Sequence, residues 1–177
     1  MALSFMVLGG PRSATTWAAN WLTTDTTFCL HDPLLEYTRR QLDVMTIPDK
    51  LIGIACTSSI LFPEWVLKHP AKKIMLYRPV EEINYSLETL GLPTLDAYAH
   101  FKRMKVLMDK GIEPIFWQSL FDREVAAKVW KTLIGTPFDS YRHDLLIQFN
   151  VQPQFRNLPV SKEAVTDLVK RTAEVIV

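Results

Sequence analysis

Hydrophobic residues gather in short continuous runs, and the segments between the runs repeat apolar positions every three or four residues. Four runs have the length of buried strands, at 3–9, 51–56, 73–77 and 114–117, and a weaker fifth lies at 27–30. A helical pattern follows each run, and this alternation is typical of parallel strands with helices on both faces of the sheet. The pattern predicts an α/β fold, a three-layer sandwich around a mostly parallel central sheet.

Amphipathic segments at 94–111, 122–135 and 161–177 predict three of the helices. The second begins at Asp122, a residue type that caps helix starts, and stops at Gly135, a residue type common at helix ends. The positions predicted to face the core are Leu95, Ala99, Leu107 and Met108 in the first helix and Val125, Val129, Trp130 and Leu133 in the second.

Length and charge narrow the class of protein. A chain of 177 residues fits one domain, so residues 1–177 are expected to form a single unit. Twenty basic and nineteen acidic side chains leave a formal charge of +1, which provides no general attraction for nucleic acid or an anionic membrane. Any anion must therefore bind at a local site.

The cysteines and the apolar runs bear on location. Two cysteines without metal-ligand spacing suit a reducing compartment. The first residues lack the basic stretch of a secretory leader, and no apolar run reaches the roughly 18 residues of a membrane helix. We expect a cytoplasmic protein.

The turn after the first strand, "GGPRSATT" at 9–16, is a candidate anion site. A strand, a tight turn and a helix start direct unpaired N–H groups and the positive end of the helix dipole at one point. In the Walker A pattern Gly9 takes the first glycine, but Thr15 stands where the lysine belongs. Without that lysine, and with Arg12 nearby, the loop suits a single terminal phosphate better than a magnesium-triphosphate.

The segment "PRSATTW" resembles the P-[KR]-S-G-T-T-W loop of sulfotransferases that use 3′-phosphoadenosine 5′-phosphosulfate, a family with a P-loop nucleotide-binding fold. The resemblance implies that Arg12 stabilises the oxygen between phosphate and sulfur and that Trp17 packs near the adenine. This chain has Ala14 where the family has glycine, which predicts backbone strain of about 1 kcal/mol. The cofactor contacts implied for the loop are Gly10, Pro11, Arg12, Ser13, Ala14, Thr15, Thr16 and Trp17.

A second segment, "KIMLYRPVEEINYS", matches the other cofactor motif of that family. Arg78 follows an apolar strand, and Ser86 comes eight residues later. The resemblance implies that this pair holds the 3′-phosphate, and an arginine at the carboxyl end of a strand fits the place where doubly wound sheets bind ligands. Pro79 follows the arginine directly, whereas the family has one residue between them.

Sulfuryl transfer also needs a base for the acceptor proton. In "LHDPLLEY", which resembles a segment after the second strand in carbohydrate and bacterial sulfotransferases, Asp32 is the first candidate and His31 the second. An Asx turn before Pro33 is the alternative explanation of Asp32. Thr57 and Ser58 stand where the cytosolic branch of the family has a histidine.

The favoured function is transfer of a sulfuryl group to a hydroxyl or amine on a small-molecule or carbohydrate acceptor, without a required metal. One alternative is a nucleotide or small-molecule kinase with a degenerate P-loop, which needs a carboxylate at a strand end for magnesium. Another is a catalytically inactive, P-loop-derived nucleotide-binding protein. An ordinary strand-to-helix turn with Trp17 in the core is the alternative explanation of the loop. His69, His100 and His143 are expected to be at the surface or satisfied.

Overall fold

A five-stranded parallel sheet forms the centre of the protein. The computed structural model describes residues 3–148. The strands follow one another across the sheet in the order β2-β3-β1-β4-β5, and every neighbouring pair is parallel. All five predicted runs form strands, and only Trp117 leaves its run to begin a 3-10 turn. The strands are β1 (Leu3–Gly9), β2 (Thr27–His31), β3 (Leu51–Cys56), β4 (Lys72–Tyr77) and β5 (Pro114–Phe116).

Helices connect the strands and follow the last of them. The described part of the chain contains α1 (Thr15–Trp21), α2 (Arg39–Val44), α3 (Pro63–Lys68), α4 (Val80–Glu88), α5 (Ala97–Met108), α6 (Arg123–Leu133) and α7 (Ser140–Gln148). Short 3-10 turns lie at Pro33–Leu35, Ser58–Leu61 and Trp117–Phe121. The helix predicted at 161–177 lies outside the described residues. Each helix within residues 3–148 is too short or too polar to cross a membrane.

Both faces of the sheet are covered, because side chains alternate along the buried strand β1. Phe5 and Val7 pack into a cluster with residues of α1 and α6, whereas Met6 and Leu8 pack into a second cluster with residues of α2, α3 and α5. Gly53 on β3 leaves the space that the Phe5 ring occupies, since a Cβ there would overlap the ring. The predicted α/β class is confirmed.

The predicted cap of α6 is present, whereas the predicted inward face of α5 is only partly correct. In α6, Asp122 accepts hydrogen bonds from the N–H groups of Glu124 and Val125, as a capping residue should. In α5 the buried residues are His100, Met104 and Leu107, so Leu107 is the one predicted inward residue that is fully buried. The expectation that His100 is at the surface or satisfied is wrong, because the ring is buried and its Nε2 has no partner among the described residues. His69 and His143 are buried as well, and each makes a hydrogen bond through its ring.

The strand order creates a crevice at one edge of the sheet. From β1 the chain passes β3 to reach β2 at one edge of the sheet. From β3 it passes β1 in the opposite direction to reach β4. Ligands of open α/β sheets bind where the connections diverge in this way, beyond the carboxyl ends of the strands. The β1–α1 loop, residues 10–14, lies at that edge.

Candidate functional site

The β1–α1 loop holds two non-glycine residues in left-handed backbone conformations. Arg12 has φ 61° and Ala14 has φ 63°, and Ala14 precedes α1 without a side-chain capping bond. Such conformations cost on the order of 1 kcal/mol or more each and persist where the surroundings hold them, often at functional sites. The strain expected from alanine in place of glycine is present.

The buried side chain of His100 packs against the loop at Gly10. A Cβ on Gly10 would lie 2.6 Å from Cε1 of His100, so only glycine fits there without movement of the ring. His100 is 6% exposed, and its Nε2 has no hydrogen-bond partner among the described residues. Burial, and then the positive charge of Arg103, lower the pKa of His100, which favours the neutral imidazole.

The arginine side of the site consists of Arg12, Arg78 and Ser86, which meet beside the loop. Arg12 Nε donates to Ser86 Oγ over 3.0 Å. Arg78 Nη1 donates to the carbonyl oxygen of Arg12 over 2.5 Å. Residues 66 and 74 positions apart in the sequence are thus joined by hydrogen bonds. The two segments that resemble the cofactor motifs are therefore adjacent in the fold, and the roles implied for their residues stay predictions.

The guanidinium of Arg78 is fixed on three sides. Its Nε donates to Glu82 Oε2 over 3.2 Å, and its carbon lies 4.5 Å from the ring centroid of Trp117. The indole N–H of Trp117 is 3.4 Å from the same Glu82 oxygen. Sequence reasoning missed both partners, although Glu82 stands four residues after Arg78, the spacing of ion pairs on a helix.

Positive charge is concentrated on the arginine side. Burial lowers the pKa of the Arg12 guanidinium, and the neighbouring charge of Arg78 lowers it further. Glu82 lies against Arg78 but is itself partly exposed to solvent. An anion between the two guanidinium groups would relieve their mutual repulsion.

The histidine side of the site consists of His31, Asp32 and Thr57, which lie at the carboxyl ends of β2 and β3. Asp32 Oδ1 accepts from the backbone N–H of Thr57 over 2.6 Å and from its hydroxyl over 2.9 Å. The Asp32 side chain makes no capping bond to the turn at Pro33–Leu35, so the Asx-turn explanation does not hold. The carboxylate is instead oriented across two neighbouring strands.

His31 connects this carboxylate to the hydroxyls at the start of α1. Its Nε2 lies 3.3 Å from Asp32 Oδ2, 3.0 Å from Thr16 Oγ1 and 3.4 Å from Thr15 Oγ1. A protonated Nε2 donates to the carboxylate, and an unprotonated one accepts from a hydroxyl. The imidazole nitrogen therefore lies between a carboxylate and the two hydroxyls at the start of α1.

Two predicted contacts are not brought to the crevice. The Trp17 ring is 4% exposed, packs at 5.2 Å from Trp21 between ring centroids, and donates its N–H to the carbonyl of Leu146. This corrects the assignment of Trp17 to the adenine, because the ring belongs to the core. Ser13 is also fully buried, with its hydroxyl 3.5 Å from the Pro11 carbonyl, so the predicted contact of Ser13 with the phosphate is not exposed in this structure.

A cavity of about 170 Å³ lies along the loop and is bordered by both sides. Arg12, Thr15 and Thr16 contribute to its wall, and so do all three residues of the histidine side. Pro11 and Ala14 complete the part contributed by the loop. A small molecule in this cavity would contact an arginine, several hydroxyls and a histidine.

Comparison with known proteins gives no match to a family model, a curated protein or a solved structure. Residues 3–148 also contain no group of three or more His, Cys, Asp or Glu side chains placed to hold a metal ion. Functional inference therefore rests on the geometry of the site and on the two sequence segments that form it.

Proposed function

We propose that this chain transfers a sulfuryl group from 3′-phosphoadenosine 5′-phosphosulfate to a hydroxyl or amine acceptor, on a sulfotransferase-like P-loop fold. The observation that carries the proposal is the hydrogen bond from Arg12 to Ser86. The two segments that resemble the cofactor motifs of sulfotransferases are separate in the sequence and adjacent in the fold. A ligand with phosphates on both its 3′ and 5′ positions needs this adjacency.

The residues present fit the two phosphates. Backbone N–H groups of the loop, with Thr15 and Thr16, would hold the 5′-phosphate. Arg78 uses one N–H for Glu82 and one for the Arg12 carbonyl, and the remaining donors of its guanidinium would hold the 3′-phosphate with Ser86. Ligand binding would then replace the bond between Arg12 and Ser86 and free the Arg12 side chain.

The bound cofactor would supply the sulfuryl group, whose bond to the phosphate oxygen breaks with its electron pair as the acceptor oxygen bonds to sulfur. Arg12 would stabilise the negative charge that develops on that phosphate oxygen. His31 would take the acceptor proton on Nε2, while Asp32 stabilises the resulting imidazolium. This order reverses the first choice of Asp32 as the base, because Thr57 already donates two hydrogen bonds to the carboxylate.

The proposed enzyme needs no metal and acts on a small molecule or carbohydrate in the cytoplasm. Cys29 and Cys56 are both free and buried, in keeping with a reducing compartment. Burial raises the pKa of both thiols, and that of Cys56 to about 12. Neither thiol is a nucleophile in this scheme.

Thermal unfolding with different nucleotides tests the proposal, because a ligand that binds only the folded state raises the midpoint. We expect adenosine 3′,5′-bisphosphate to raise the midpoint more than adenosine 5′-monophosphate at equal concentration. A rise with ATP and magnesium but none with the bisphosphate would favour the kinase. Binding of the bisphosphate without transfer of radiolabelled sulfate to any of a panel of alcohols, phenols, amines and sugars would favour the inactive binding protein.

A further inference from the structure

A groove lies beside the amino-terminal half of β4, at the other end of the sheet from the β1–α1 loop. β4 has six residues, but β5 has three and pairs only with Met75, Leu76 and Tyr77. Within residues 3–148 the first half of β4 therefore has no strand beside it on this side, and a groove of about 710 Å³, the β4 groove, opens between β4, α6 and residues 111–113. We infer that the β4 groove binds an alkyl carboxylate, a monoanion with an apolar chain. The inference does not rest on the proposed function.

Apolar side chains line one part of the β4 groove. Ile74 and Val129 are buried, whereas Ile115 and Val125 are half-buried and retain exposed surface. Val125 and Val129 are four residues apart on α6, so they lie on the same face of the helix. An alkyl chain along this face would remove apolar surface from water, which stabilises a complex by roughly 25 cal/mol for each Å² buried.

The ammonium group of Lys73 supplies a fixed positive charge in the groove. It donates hydrogen bonds to the backbone carbonyls of His69 and Ala71. An ammonium has three N–H donors, so one donor remains for a ligand. Burial lowers the pKa of Lys73, and among the described residues no neighbouring carboxylate opposes this effect. A ligand carboxylate would accept the third hydrogen bond and compensate the partly desolvated charge.

The balance of charge favours a monoanion. The charged residues that border the groove in the described part of the chain are Lys73, Lys128 and Glu113, which together leave a net charge of +1. Lys128 and Glu113 are exposed, so solvent screens both of them and Lys73 provides most of the attraction. A carboxylate matches this net charge, whereas a phosphate dianion exceeds it.

Octanoate, butanoate and 1-octanol separate the contributions of the charge and the chain. Each is titrated into the full chain, and binding is followed by the NMR signals of the residues that border the groove. We expect octanoate to bind about tenfold more tightly than butanoate, because its longer chain covers more of the apolar side chains. We expect it to bind about fivefold more tightly than 1-octanol, because only the carboxylate forms a charge-assisted hydrogen bond with Lys73. Affinities within about twofold of one another, or signal changes at the β1–α1 loop instead of the groove, would overturn the inference.

Two variants change the charge inside the groove in opposite directions. Lys73→Gln should weaken octanoate by about fivefold and leave 1-octanol within about twofold of the wild type. Glu113→Gln replaces an exposed side chain, so it tests the charge even if Lys73→Gln fails to fold, and it should strengthen octanoate by about twofold. Weaker binding of octanoate to Glu113→Gln, or unchanged binding to a folded Lys73→Gln, would overturn the inference.

Lys128→Met and Lys131→Met form a matched pair, because both lysines are exposed on α6 and only Lys128 borders the groove. We expect Lys128→Met to weaken octanoate by about twofold to threefold and Lys131→Met to leave its affinity unchanged. Equal effects of the two variants would contradict binding in this groove. The bisphosphate affinity should be the same in all four variants, so the outcome at this groove and the outcome for the proposed function are independent.

Discussion

The two sides of the β1–α1 loop are built for different tasks. The arginine side brings two guanidinium groups together, with burial and mutual repulsion lowering the pKa of Arg12. The histidine side holds a carboxylate through two donors of Thr57 and sets an imidazole beside it. The first arrangement favours an incoming anion, and the second places an imidazole beside a carboxylate and two hydroxyls. Changes on the arginine side should therefore include large losses of affinity, whereas changes on the histidine side should affect turnover alone.

The largest effect is expected on turnover when Arg12 is replaced. In Arg12→Gln the developing charge on the leaving phosphate loses its cation, so we expect kcat to fall by about 10²–10³-fold. The affinity for adenosine 3′,5′-bisphosphate, measured by titration calorimetry, should fall by less than about tenfold. Arg12→Lys keeps the charge and should retain part of the activity. Equal losses of kcat and affinity in Arg12→Gln would remove the distinction between binding and chemistry at this residue.

Arg78 should act on binding. Arg78→Met removes the charge but keeps a long side chain against Trp117, and we expect affinity for the bisphosphate to fall by roughly 30-fold to 100-fold. Affinity for adenosine 5′-monophosphate should change by less than about threefold, because that ligand has no 3′-phosphate.

Glu82→Gln is the control for Arg78. It removes a competing carboxylate from Arg78 Nε, and we expect affinity for the bisphosphate to be unchanged or higher. If Arg78→Met weakens both nucleotides equally, Arg78 supports the loop through the Arg12 carbonyl and does not bind the 3′-phosphate.

Variants of the histidine side should spare binding. His31→Asn removes the proton acceptor, and we expect kcat to fall by about 10²-fold with bisphosphate affinity within about twofold of the wild type. Thr57→Val removes one of the two bonds that orient Asp32, and a smaller loss of about fivefold is expected. A wild-type kcat in His31→Asn would assign the proton to another group.

The smallest predicted effect is the dependence of stability on pH that arises from buried histidines, among them His100 beside the β1–α1 loop. Burial lowers the pKa of both His100 and His69, so the unfolded chain takes up their protons more readily than the folded protein. Stability should therefore fall as the pH decreases below about 6.5, the ordinary histidine pKa, towards the folded values. Thermal midpoints between pH 7.5 and 5.5 measure this slope. His100→Gln should flatten it in part, and a slope unchanged in this variant would show that His100 is not one of its sources.

The sequence predicted the frame of the site better than its details. The five strands are short and mostly apolar, so their positions follow from local pattern alone. Arg78 directly follows the end of β4, and Ser86 comes about two helical turns later along the chain. This spacing can also be seen in the sequence. By contrast, the bond of Asp32 to Thr57 depends on the pairing of β2 with β3, which no local pattern specifies.

Tertiary packing explains the features of the site that the sequence did not predict. Trp17 and Trp117 are both aromatic residues near a strand end, but Trp17 lies under α7 in the core and Trp117 lies against Arg78. His100 is buried because the buried face of α5 runs through His100, Met104 and Leu107, of which the apolar periodicity predicted only Leu107. Leu87, Leu90 and Leu92, from the end of α4 and the turn after it, border the same cavity as the loop. None of these contacts follows from residues close in sequence.

A crystal structure of the complex with adenosine 3′,5′-bisphosphate tests the central claim most directly. We predict the 5′-phosphate against the backbone of residues 12–16, the 3′-phosphate bound by Arg78 and Ser86, and the Arg12 side chain released from Ser86. A complex in which the hydrogen bond between Arg12 and Ser86 persists, or in which only one phosphate contacts these residues, would contradict the account.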